Sequence, residues 1–197
     1  MVIPRALLLV VPVCVLLVGA GCSSKKSAAT TRTTAAPAVM PRAATADVWA
    51  NRIVDLLLRS LQQDLVVVSQ FDNPQTRIYI QTGNDVAIRT IRRRMTDLSQ
   101  CSTKLTAIGP PPHGRAPLAQ VGKHLARACT AYVDVAQKLL KATQMLSSGR
   151  RDVVEQGDRI AAEARVPSRR AALELTAAIK IAQRQPSFRR AGLKPSV

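Results

Sequence analysis

Aromatic residues are the scarcest large side chains in this 197-residue chain: one Trp, two Tyr and two Phe. Glycine and proline are sparse too, at 9 and 12, while 29 residues are alanine. So few aromatics and turn formers, with so much Ala, suit closely packed helices better than a β-sandwich. Acidic side chains are also few, 12 Asp+Glu against 29 Lys+Arg, for a net charge of +17. The missing aromatics deprive this basic chain of the stacking platforms that single-stranded nucleic acid requires.

The chemistry-bearing patterns are missing as well. With only His113 and His124, the sequence contains no Glu-x-x-His, no His-Glu-x-x-His and no Cys-x-x-Cys, so the usual di-iron and zinc spacings are lacking. Gly-x-Ser-x-Gly, Gly-x-Gly-x-x-Gly and the P-loop pattern do not occur. The three glutamates, Glu155, Glu163 and Glu174, share no turn with a histidine for acid–base work. His124, at the edge of an apolar helix face, is expected to be structural, and His113 to be solvated. No enzymatic activity, cofactor or metal is expected.

The amino terminus has the composition of an export signal. Residues 1–5 carry one positive charge, residues 6–18 are an apolar run interrupted only by Pro12 and Cys14, and Gly19-Ala20-Gly21-Cys22 follows. The run is short of the ~20 residues that span a bilayer. Val18-Gly19-Ala20-Gly21-Cys22 resembles the lipobox of bacterial lipoproteins, with Gly19 where that family usually has Leu. The resemblance covers only the export segment. It implies alkylation of the Cys22 thiol with a diacylglycerol bearing palmitate-type chains, cleavage before Cys22, and a mature protein anchored to the membrane outside the cytoplasm. By lipobox and composition, the whole chain resembles the small helical lipoproteins of actinomycete-type bacteria.

Residues 23–44 hold seven Ser/Thr, seven Ala, two Pro and four Lys/Arg, with only Val39 and Met40 larger and apolar, which is too little to fold. They read as a disordered tether spanning about 26 Å as a coil. Residues 45–197 read as one domain. A first helix is expected over 46–71, with Thr45 as N-cap and Trp49, Ile53, Leu56, Leu57, Leu61, Leu65 and Val68 at helical spacing. Residues 77–80 lie between strand and helix in character, with helix favoured and a break at Gly83. A second helix runs from Asn84 to the Gly109-Pro110-Pro111-Pro112 stop, and a third from Pro117 to just before Gly149. The last segment aligns Val153, Gly157, Ile160, Ala161, Ala164, Ala171, Leu175 and Ala178 as one long helix kinked at Pro167, with two helices abutting there as the alternative. The expected fold is an all-α, up-down four-helix bundle with a frayed basic tail after about residue 186.

Export makes a disulfide the default for the two remaining cysteines, Cys101 and Cys129, both on apolar helix faces. The surplus of basic residues includes Arg92-Arg93-Arg94 and Arg189-Arg190, candidate contacts for anionic envelope polymers if the charge is more than compositional background. Three functions are compatible with these features. The leading one is a non-catalytic envelope module that binds another envelope component, polymer or protein, with no nucleic-acid partner. The second is a carrier with an apolar pocket where the small-residue face of the last helix leaves room against the third. The last is an enzyme with an unrecognised site.

Overall fold

Thr45 caps the first helix: its hydroxyl accepts from the Val48 N–H at 3.4 Å. The computed structural model describes residues 45–194; Cys22, the lipobox and the tether lie outside them. α1 (Ala46–Arg52), a π-helical stretch (Ile53–Leu58) and α2 (Arg59–Gln70) form one continuous helix, since the junction residues keep helical backbone angles. The Arg59 N–H reaches back to the Val54 carbonyl, five residues away.

The sequence supplies the reason for the wide turn. Trp49, Ile53, Leu57, Leu61 and Leu65 follow one another at intervals of four, and each such step overshoots an α-helical turn by about 40°. One extra residue in a turn offsets that drift. Trp49, Ile53, Leu57 and Leu61 are accordingly all buried, together with Val54. Beyond the stretch the drift resumes: Leu65 is only half-buried, and Asp64 turns inward to 1% exposure. Leu56, expected on this face, lies outside the described side chains.

Asn73 caps α3 (Pro74–Gln81), accepting from the Gln75 N–H at 2.9 Å, so the segment between strand and helix in character is helical. Gly83, at φ 73°, makes the turn that side chains resist, and Asn84 caps α4 (Asp85–Ser99) through the Ala87 N–H at 3.0 Å. The second expected helix is split: Gln100 leaves the helical region, and α5 (Cys101–Ile108) begins after it.

α6 (Ala116–Leu146) is the 31-residue spine, packed by α4, α5, α7 and α8. Its inward face runs from Leu118 to Leu146 at helical spacing, and the buried Thr143 hydroxyl is satisfied by donating to the Leu139 carbonyl at 2.7 Å. The last segment is not one helix kinked at Pro167 but two helices, α7 (Arg151–Glu163) and α8 (Arg165–Gln183), meeting at Ala164. The joint falls three residues before Pro167, because a proline is accommodated in a first turn, where no N–H is needed, and clashes further in.

The residues after Pro186 correct the expectation of a frayed tail. They form α9 (Pro186–Arg190), with Phe188 fully buried. Its ring meets Trp49 edge to face, centroids 5.8 Å apart, and the Trp49 indole N–H donates to the Gly109 carbonyl at 3.1 Å. Arg190 pairs with Asp47 at 2.6 Å, so α9 is fastened to α1.

Gly157 lets α7 approach α6: a Cβ there would stand 3.0 Å from Met145 Cβ and 3.2 Å from the Leu146 backbone nitrogen. Overpacking of about 1–3 kcal/mol, set against the ~1 kcal/mol of helix propensity gained, should leave Gly157→Ala less stable than the parent by up to about 2 kcal/mol. At Gly122 the nearest atom is a proline ring carbon at 3.4 Å, and Gly122→Ala should stabilise. Urea midpoints of the two variants moving in the same direction would refute this contrast.

Candidate functional site

Where α2 ends against α6 and the α7–α8 joint, the small side chains of the last two helices leave a cleft of about 260 Å³. Tyr132, Val135 and Leu139 contribute one face of α6 at intervals of three and four. Leu65, Val68 and Phe71 come from the end of the first helix, and Ala161, Ala164, Ser168 and Ala172 from α7, the joint and α8. The lining is mostly apolar. At the rim Arg165 donates through Nε and Nη2 to Oδ1 of Asp72, at 3.2 and 3.0 Å, both side chains being about half exposed. The Ser69 hydroxyl is occupied by the Val66 carbonyl at 2.7 Å.

Tyr132 is the exception in this wall. It is fully buried, yet its hydroxyl has no hydrogen-bond partner, whereas most buried polar atoms are paired. Burial pushes the phenol up to about 12, so it stays protonated.

No protein-family model, curated protein or solved structure matches this chain. The site is thus defined by its own geometry.

The cysteines and arginines singled out in the sequence fall elsewhere. The sulfurs of Cys101 and Cys129 stand 2.10 Å apart, with Cα atoms 5.1 Å apart, joining the start of α5 to the middle of α6. Arg92 and Arg93 are exposed on α4, and Arg189 on α9. Arg94 and Arg190 are committed within the protein. Arg94 donates to Gln63 Oε1 at 3.1 Å and lies 3.5 Å from Asp64, and Arg190 holds Asp47. The five do not converge on one site.

Two polar clusters escaped sequence reasoning because their members are distant along the chain. His124 on α6 lies 2.6 Å from Glu174 on α8, with Arg127 at 3.7 Å on the other carboxylate oxygen. The hydrogen bond from His124 holds the Glu174 carboxyl below its usual range, helped by Arg127. An ionised carboxylate only accepts, which places the proton on Nδ1. Exposed His113 has no such partner among the described ion pairs. Among the described residues no three His, Cys, Asp or Glu are grouped to hold a metal ion, and no helix is long and apolar enough to cross a membrane.

The other cluster surrounds Asp64. Both carboxylate oxygens are buried without a hydrogen bond, and Lys104, which donates to Ser60 and to the Asp97 carbonyl, links α5 to the same region. Burial, reinforced by Asp97, raises the Asp64 pKa above its ordinary 3.8, against the lowering by Lys104 and Arg94. The folded protein therefore holds this proton more tightly than the unfolded chain. The stabilisation from that proton is complete below 3.8 and lost as pH rises through the raised value. Asp64→Asn should stabilise the protein by about 1 kcal/mol at pH 8, since Arg94 keeps Gln63 and solvent as partners. The advantage should shrink as pH falls toward 4. Urea unfolding at several pH values checks this, and a variant weaker than the parent at pH 8 would show that the ion pair outweighs desolvation.

Proposed function

We propose that the chain is a lipid-anchored envelope protein whose helical domain carries a small apolar ligand in the α2–α6–α8 cleft. The observation that carries this reading is a recess of about 260 Å³ lined mostly by apolar side chains, with the Ser69 and Ser168 hydroxyls and the Asp72–Arg165 pair among its lining, the kind of lining that small apolar ligands occupy. The role proposed is non-catalytic. The anchor reading rests on residues 18–22 and places the domain outside the cytoplasm, on a membrane. The finer architecture we favour is an up-down four-helix bundle, counting residues 46–70, 85–108, 116–146 and 151–183 as its helices. A surface-binding module is the second reading, favoured by the exposed Arg92 and Arg93, which pair with no acidic group among the described residues; it would bind anionic envelope polymers or another envelope protein.

The test uses the chain carrying Cys22→Ser and the fluorescent probe N-phenyl-1-naphthylamine. Saturable one-to-one binding is expected, and Ser168→Trp, which fills the recess from α8, should reduce it at least about tenfold. Binding that is absent or indifferent to Ser168→Trp would overturn the carrier. Anionic vesicles bound at low salt, and lost when Arg92, Arg93 and Arg189 become Ser, would favour the surface module instead.

A further inference from the structure

Val166 and Leu173 on α8, 75% and 73% exposed, are the barest large apolar side chains among the described residues. Seven helical residues return to within about 20° of the same direction, so the two stand on one line. Lys180 continues that line after a further seven residues, Arg184 lies four beyond it, and Arg169 and Arg170 flank it; all four are exposed. Arg169, Lys180 and Arg184 enter no ion pair among the described residues. Glu174, the only acidic residue of α8, lies off this strip on the α6 side, held by His124 and Arg127. From Val166 to Arg184 the strip covers about 27 Å of helix, with cations, no anion and two open apolar side chains. α4 is different: beside Arg89, Arg92 and Arg93 it carries Asp85 and Asp97, and Val86 is its one exposed large apolar residue.

A soluble anionic polymer would engage these cations but has nothing to offer Val166 and Leu173. A bilayer with anionic headgroups engages both, because charge draws a basic helix to the headgroup layer and apolar side chains then enter the acyl boundary beneath it. We propose that α8 docks along its length on an anionic lipid surface, with Arg169, Lys180 and Arg184 among the headgroups and Val166 and Leu173 inserted below them. The docking stands on its own observations. The route of the ligand follows from it and rests on the carrier reading: Ser168 and Ala172, on the adjoining side of α8, line the cleft, so a docked α8 holds one wall of the cleft beside the bilayer from which an apolar molecule would come.

The test sediments the mature chain carrying Cys22→Ser, which has neither a lipid nor residues 1–21, with vesicles at about 50 mM salt. The vesicles are either phosphatidylglycerol and phosphatidylcholine in equal parts or phosphatidylcholine alone. The anionic vesicles are expected to bind at least about tenfold tighter. Changing Arg169, Lys180 and Arg184 to Ser should weaken that binding about 100-fold, roughly fivefold per cation. Val166→Ser with Leu173→Ser should weaken it about 5- to 10-fold while leaving binding to soluble polyphosphate unchanged. Urea midpoints of both variants should match the parent, since all five positions are exposed. Anionic-vesicle binding that survives either set of substitutions, or that is lost only when Arg92, Arg93 and Arg189 become Ser, overturns the proposal. So does an equal loss of polyphosphate binding in the apolar variant. Docking without naphthylamine binding upholds the α8 face and removes only the carrier; naphthylamine binding without docking does the reverse.

Discussion

Phe188→Ala should destabilise the protein by about 3–5 kcal/mol, the range for emptying a fully buried aromatic site. The ring is completely enclosed and meets Trp49 edge to face, a geometry that adds to the area it buries. Little around it can collapse into the hole, because the neighbouring indole is pinned by its bond to the Gly109 carbonyl. A chain ending at Gln185 should lose a comparable amount, whereas Arg189→Ser, at an exposed position on the same short helix, should change stability by less than about 0.5 kcal/mol. Urea unfolding of the three variants gives the comparison. A Phe188→Ala chain within 1 kcal/mol of the parent would mean that α9 is dispensable to the core.

Opening the Cys101–Cys129 bridge is the second large effect. It closes a loop of 28 residues, for which chain entropy gives about 3.6 kcal/mol. Both cysteines are buried, Cys129 completely, so Ala at either position also loses packing. Cys101→Ala with Cys129→Ala should lower the melting temperature by about 5–15 °C. Thiol titration of the denatured, unreduced Cys22→Ser chain in its mature form should find no free cysteine. Two free thiols, or an unchanged melting temperature, would contradict the bridge.

Much of the helical layout is legible in residue types alone. Pro117 and Gly149 bracket α6, and Thr45 and Asn84 cap the helices they precede, because these residues act through their own backbone chemistry. What escaped depends on contacts made across the fold. Gln100 interrupts the second helix without being Gly or Pro, so nothing local marks it. The i to i+4 series from Trp49 reads as ordinary amphipathicity until the accumulated rotation is counted, and only then do the wide turn and the inward Asp64 follow. Phe188 stands alone among basic residues, and a single aromatic gives no periodicity; its burial depends on Trp49, 139 positions away. The cleft was half visible. The Ala-rich face of the last segment pointed to room against α6, but an unpaired buried hydroxyl such as that of Tyr132 has no signature in sequence.

The contact of α9 with α1 brings residue 47 and residue 190 within salt-bridge distance, so the described chain starts and finishes at nearly the same point. A topology of that kind can be cut and resealed. A short Gly/Ser link between the ends, with new termini in the turn at residues 147–150, gives a circular permutant in which each helix keeps its neighbours. It would place the amino terminus between α6 and α7, away from α1, while keeping the cleft, so that the cleft and the amino-terminal end of the chain would be set apart on the domain.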